Sequence, residues 1–228
     1  MHVYSSDNEF RSTFLAILGV VAFIVLVALN AYVFPWLYQQ IPFKIPPLVV
    51  PGLAFGVVFG LFHRVFDRRL WKKPWMPDFI VAVPDLTGHW EGEIRTSYEG
   101  EIPDDYLADG GHQPMTATLN IKQTWSKIII HFETERSPSV STGASFQTEG
   151  TLHPRLSYLF ENEGADVDEQ AEDEGPYDGT TRFTYRESDD RLVGYYYTGP
   201  ARASEQGDGQ KTTYGTAEFT RVSDQPRK

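Results

Sequence analysis

Tyrosines and arginines recur together in the second half of this chain, and their types and spacing suit ligand chemistry. Tyr158, Phe160, Phe183, Tyr185, Tyr195, Tyr196 and Tyr197 offer flat faces, and Arg155, Arg182 and Arg186 lie among them. Aromatic faces stack on planar rings, and guanidinium groups hold phosphates through paired hydrogen bonds. Tyr158, Arg182, Tyr185, Arg186 and Tyr196 are therefore the candidate ligand contacts for an anion with planar bases. Strand alternation constrains the set. In Arg182–Arg186 it puts Phe183 and Tyr185 on one face, and Arg182, Thr184 and Arg186 on the other. Both sets line one cavity only if a bulge intervenes. In the alternative reading the aromatics fill a core, and the arginines pair outside with Glu187, Asp189 and Asp190.

Other chemistry is poorly served. There is no cysteine, hence no thiol nucleophile and no Cys metal site. No phosphate loop, H-E-x-x-H or G-x-S-x-G motif occurs, so no catalytic residue is assigned. The chain is expected not to be an enzyme and to need no cofactor. Glu161–Glu174 holds eight acids and no base, but lacks the glycine spacing of a calcium loop and reads as a solvated segment. No metal site is expected. Lys122 and His131 fall on the polar faces of their strands.

The elements that must position these residues follow from periodicity. From Pro84 onward, eight strand-like segments with period two occur, at Leu86–Ser97, Met115–Thr124, Lys127–Glu135, Ser145–Gly150, Arg155–Asn162, Thr180–Glu187, Leu192–Thr198 and Thr212–Val222, separated by turns rich in Gly, Pro, Ser and Asp such as Ser137-Pro138. The predicted fold class is a membrane α-helical hairpin plus an all-β domain, an eight-stranded, up-and-down, lipocalin-like antiparallel barrel. Closure removes exposed edges, and eight strands leave room for packed side chains or one small ligand. The first strand begins Leu86-Thr87-Gly88-His89-Trp90-Glu91-Gly92. Gly88, Trp90 and Gly92 share a face, which assigns them to the barrel core, with Trp90 plugging the floor.

The first third of the chain has a different character. Thr13–Phe34 and Pro46–Phe62 contain no charge, and Arg64–Lys73 follows with five Lys/Arg and one acid. A membrane helix needs about 20 apolar residues. The second run is short and can extend by a few residues or thin the bilayer. The basic cluster places both termini and the barrel in the cytoplasm by the positive-inside rule. The expected organisation is a tail at 1–12, a two-helix transmembrane hairpin at 13–66, a basic linker at 67–84, the barrel at 85–222 and a tail at 223–228. Gly52, Gly56 and Gly60 form a stripe that suits close helix packing, either on the first span or in self-association. Net charge is −11 overall, dividing into +3 for residues 1–80 and −14 for residues 81–228. So acidic a domain is unsuited to duplex nucleic acid.

Two spans, a basic juxtamembrane stretch and a barrel led by Asp85–Gly92 resemble the two-transmembrane β-barrel effectors of bacterial cyclic-oligonucleotide anti-phage (CBASS) signalling. The resemblance covers the whole chain as architecture, and Asp85–Gly92 is its sharp local piece. It implies a barrel that binds a cyclic nucleotide made by a partner nucleotidyltransferase. It further implies self-association and disruption of the inner (plasma) membrane, ending in cell death or growth arrest. It assigns no ligand residue. The rival expectation is a membrane-anchored barrel without nucleotide sensing, either an adaptor or a carrier of apolar ligands.

Overall fold

The computed structural model describes residues 1–33, 49–77, 80–97, 114–134, 138–162, 177–199 and 213–222, together with 35, 36 and 39. The described chain divides into two units, residues Asn8–Ala82 and a second unit of Met1–Asp7 with Val83–Lys228.

The second unit is a closed barrel. Its strands are β1 (His2–Ser6), β2 (Gly88–Thr96), β3 (Met115–Gln123), β4 (Lys127–Thr134), β5 (Pro138–Gln147), β6 (Arg155–Asn162), β7 (Tyr177–Arg186), β8 (Arg191–Thr198) and β9 (Tyr214–Val222). Around the barrel the order is β1-β4-β3-β2-β9-β8-β7-β6-β5, and β4 also pairs with β5. β2 to β9 make the expected antiparallel meander, closed by β2 against β9. Alternation buries Trp90, Leu119, Ile128, Ile130, Leu156, Phe183, Leu192 and Phe219 in one core. Full burial of each such side chain stabilises by about 1.5–3 kcal/mol.

Two features correct the sequence reading. The barrel has nine strands rather than eight, because His2–Ser6, read as part of a tail, forms β1. β1 runs antiparallel to β4 but parallel to β5, so the barrel is not wholly up-and-down. The reason is the reach of residues 1–6: Tyr4 is an apolar anchor at 2 % exposure, far in sequence from the core it joins. β5 also begins at Pro138, where a turn was expected. Its inward positions include Ser139 and Ser141, so hydrophobic periodicity is silent there, and its register shifts between Ser141 and Gly143.

The other unit contains α1 (Phe10–Tyr32), α2 (Val49–Arg68) and a 3-10 turn at Leu70–Lys72. Among the described residues, α1 alone is long and apolar enough to cross a membrane. At about 1.5 Å per residue, its 23 residues span roughly 35 Å. α2 ends in His63-Arg64-Val65-Phe66-Asp67-Arg68, so its apolar part is shorter than a full span. The expected two-span hairpin is thus matched by one clear span and a second helix with a charged final stretch. Phe14, near the start of α1, meets Phe66, near the end of α2, with ring centroids 4.3 Å apart, so the helices run antiparallel. The connector between the helices, most of Glu161–Glu174 and residues 223–228 lie largely outside the described residues.

Candidate ligand site

The barrel has two unlike ends. The turns at 124–126, 148–154 and 187–190 gather at one end, here the floor. The strand termini Thr96, Met115, Thr134, Asn162, Tyr177, Thr198 and Tyr214 gather at the other, named the mouth for reference, whose connections 98–113, 135–137, 163–176 and 200–212 lie outside the described residues.

Trp90 seals the floor. It is fully buried, and its indole N–H donates to Leu86 O at 3.0 Å. Gly88 has φ +144°, a conformation open to glycine, which lets the chain turn into the strand. Arg221, on the last strand, lies over the Trp90 ring at 4.5 Å, donates to Thr87 O and Asp85 O, and ion-pairs with Asp190 at 3.0 Å. Asp190 Oδ1 also accepts from Tyr185 OH at 2.9 Å. Burial and then the Asp190 carboxylate push the Tyr185 phenol up to about 12. First strand, last strand and the β7–β8 turn are thereby pinned together beneath the core.

Polarity changes toward the mouth. Strand register stacks the inward residues of β5 to β9 in layers. Phe146, Leu156, Phe183, Gly194 and Ala217 lie abreast near the floor, and Ala144, Tyr158, Thr181, Tyr196 and Gly215 lie above them. Ser141, Phe160, Gly179 and Thr198 follow, and Ser139, Asn162 and Tyr177 line the mouth. Ser139, Ser141, Asn162 and Thr181 are buried polar residues. Asn162 Nδ2 donates to Tyr177 OH at 3.1 Å. Burial raises the Tyr158 phenol to about 12 despite a hydrogen bond with Thr181. Tyr196 is raised by burial too, against a hydrogen bond with Thr96. Phe160 lies across Gly179 and Tyr196 across Gly215, where a Cβ would collide with each ring. The glycines let these aromatic rings lie close against the wall.

The five candidate contacts are not brought together. Tyr158 and Tyr196 share a layer of the interior. Tyr185 belongs to the floor. Arg182 points outward and donates to Gln147 Oε1 at 3.2 Å, and Arg186 is exposed at its strand end. Phe183 holds its place in the core, and period two then carries both arginines outside. Lys122 and His131 are on the outer wall as well. On β2 to β9 the inward positions carry no charged side chain except Arg221 at the floor. The upper interior therefore offers aromatic faces, hydroxyls and an amide, which suit planar bases and their polar edges. Sequence reasoning missed Asn162, Tyr177 and Arg221. Alternation from Phe160 and Phe219 would have placed Asn162 and Arg221 inward.

Residues 81–220 match the family described as Cap15, cyclic dinucleotide receptor domain. The chain is also similar to CD-NTase-associated protein 15 of Yersinia aleksiciae, at 28% identity over 153 residues. That alignment covers 67% of this chain and 62% of the relative, so it spans less than two thirds of the relative's length.

Proposed function

This chain belongs to the Cap15 cyclic dinucleotide receptor family of CBASS effectors, and we propose that it binds a cyclic dinucleotide in the upper half of its barrel and answers by damaging the membrane that holds it. The observation that carries the ligand reading is the layered interior. Its floor is closed by Trp90 and Arg221, while Tyr158, Tyr196, Phe160 and Asn162 leave aromatic and neutral polar groups toward the mouth. Two bases stack or bond there without a charged wall, and a cyclic dinucleotide supplies two bases in one compact ligand.

The membrane part of the proposal has its own support. β1 and β2–β9 belong to one barrel, so residues 7 and 83 start and end the intervening segment on the same side of any membrane. A crossing by α1 then requires a return crossing, which α2 supplies with help from its flanks. The basic end of α2 favours the cytoplasmic side, at the inner membrane, for both termini and the barrel. A methyl group placed on Gly56 or Gly60 would meet no atom within 4 Å, so neither glycine packs on α1 in the single chain. That open stripe supports self-association in lipid as the route to leakage.

The test is titration of the full-length protein in detergent with cyclic di-AMP, cyclic di-GMP, cyclic GMP–AMP, the matching mononucleotides and a long-chain fatty acid, followed by calorimetry. A cyclic dinucleotide should bind more tightly than any mononucleotide. Binding of the fatty acid alone would favour the second reading, an apolar-ligand carrier, which the largely hydrocarbon interior also suits.

A further inference from the structure

β1 occupies an unusual place in the barrel wall. β4 and β5 pair directly at three positions near the mouth, His131 with Val140, Phe132 with Ser139 and Glu133 with Pro138. Toward the floor the two strands part, and β1 fills the gap. Its attachments on the two sides are unequal. On the β4 side there are two register pairs, His2 with Ile128 and Val3 with Lys127. Three contacts to the adjoining turn add to these: Tyr4 OH donates to Trp125 O at 2.6 Å with Thr124 O at 3.4 Å, and Tyr4 N donates to Ser126 O at 3.4 Å. On the β5 side there are three pairs, Tyr4 with Ala144, Ser5 with Ser145 and Ser6 with Phe146. There His2 Nε2 meets Ser141 Oγ at 2.8 Å, and the Tyr4 ring packs edge-on against Phe146 with centroids 5.0 Å apart. The Asp7 carboxylate then accepts from Thr148 N, Thr148 Oγ1 and Glu149 N at 2.8–2.9 Å.

β1 also leads almost directly into the first apolar helix. Ser6 ends the strand and Phe10 starts α1, four residues apart, which is about 14 Å at full extension. Asn8 Oδ1 accepts from Phe10 N at 2.8 Å within that short stretch. A parallel strand pair cannot be joined by a tight turn. The crossover that links β1 to the rest of the barrel is the whole α1–α2 unit.

We propose that the seam between β1 and β4 is the joint at which the barrel opens on ligand binding, and that β1, carried by β5, delivers this movement to α1. The inference rests on the receptor reading above. The seam with fewer pairs separates at the lower cost. The Asp7 clamp keeps the strand with the β5–β6 turn, so the motion is drawn along the chain into the helix.

The absence of cysteine makes the test clean. Val3 with Lys127 and Ser5 with Ser145 are register partners, and paired Cα atoms in sheets lie at separations that a disulfide bridges. Two double variants of the full-length protein, V3C/K127C and S5C/S145C, are placed in phosphatidylethanolamine–phosphatidylglycerol vesicles holding a self-quenched dye. The probe is whichever of cyclic di-AMP, cyclic di-GMP and cyclic GMP–AMP binds the parent. Oxidised V3C/K127C should leak at least about tenfold less than its reduced form at the same probe concentration. Its affinity should weaken as well, because a barrel held closed resists the state that the ligand favours. Dithiothreitol should restore both, which also shows that the variant folds. S5C/S145C should leak equally when oxidised and reduced. Undiminished leakage from the oxidised V3C/K127C protein overturns the joint, and so does silence of both locked proteins. A parent that binds no cyclic dinucleotide removes the receptor reading and this inference with it. A parent that binds and leaks, with locks that change nothing, removes the joint alone.

Discussion

Tyr196 and Asn162 carry the ligand proposal at the scale of single residues, and the outward arginines do not. Tyr196→Ala removes a flat face from the upper interior, and Asn162→Ala removes a donor and acceptor at the mouth. Each should weaken cyclic dinucleotide binding by about tenfold, the order of one lost stacking or hydrogen-bonding partner. Arg182→Ala and Arg186→Ala should leave affinity within about threefold, since their guanidiniums are outside the wall. Calorimetry on the full-length variants measures all four, and a large loss at either arginine would move the site to the outer surface. Tyr158 supplies a pH prediction. Its phenol is raised to about 12 in the folded chain, mainly by burial. The unfolded chain therefore ionises first, near pH 10, so the stabilising effect is complete below pH 10 and is lost as pH rises from 10 toward 12. The loss approaches about 3 kcal/mol at the upper limit. Melting temperature should fall more steeply between pH 10 and 11.5 in the parent than in Tyr158→Phe, and parallel curves would refute the assignment. At this scale the sequence was partly legible. The inward place of Tyr158, Tyr185 and Tyr196 follows from alternation on strands that hold Phe160, Phe183 and Leu192. Which of them reach the mouth depends on the register among six strands, which no local pattern carries.

The strands show how far periodicity reaches at the scale of elements. β6 runs from Arg155 to Asn162 as alternation predicts, because Leu156, Tyr158 and Phe160 mark the inner face without ambiguity. β5 was misjudged because serines hold its inner positions where Ser141 accepts from Ile130 N and meets His2. β1 was missed because five residues with one aromatic anchor carry too little signal before a long apolar helix. Gly92, Gly194 and Gly215 lie inside strands that periodicity marks, although glycine weakens a strand. They sit where a Cβ would collide with backbone of the neighbouring strand, at Glu218, Arg182 and Arg95 respectively, so they serve close approach of strands. The α2 glycines give the prediction at this scale. Gly56 and Gly60 are exposed in the single chain beside Val57 and Leu61, and added side chains there meet no obstacle. Gly56→Leu with Gly60→Leu should therefore insert normally and leave the barrel interior unchanged. Close approach of the helices of two copies would be lost. Dye entry into cells that make the variant with an activating nucleotidyltransferase should fall at least about fivefold. Full dye entry at equal protein levels would leave the stripe outside the mechanism.

Charge and connectivity act together across the whole molecule. The barrel and its flanking sequence, residues 81–228, carry −14, while residues 1–80 carry +3 with five of their seven cations between Arg64 and Lys73, in the last turns of α2 and just after it. In the proposed membrane setting, anionic lipid would attract the latter and repel the former. The N-terminus adds a constraint that charge alone lacks. His2–Ser6 is built into the same barrel as Val83 onward, with Tyr4 in the common core. A chain that leaves the barrel at Asp7 and rejoins it at Val83 crosses a bilayer an even number of times. A single crossing by α1 would place β1 and β2 on opposite faces, and exposing Tyr4 would forfeit a buried aromatic and its 2.6 Å bond to Trp125 O. The two crossings proposed above would satisfy this, with α2 as the weaker candidate span. A reporter enzyme active only outside the cytoplasm should therefore stay silent when fused after Lys228, and become active when inserted in the connector near Lys44. Deleting residues 2–6 should leave that pattern intact if positive charge sets the orientation, yet lower the melting temperature of the barrel by removing β1 from its wall. Reporter activity after Lys228 in the parent would put the barrel outside the cytoplasm, beyond the reach of a nucleotide made within the cell.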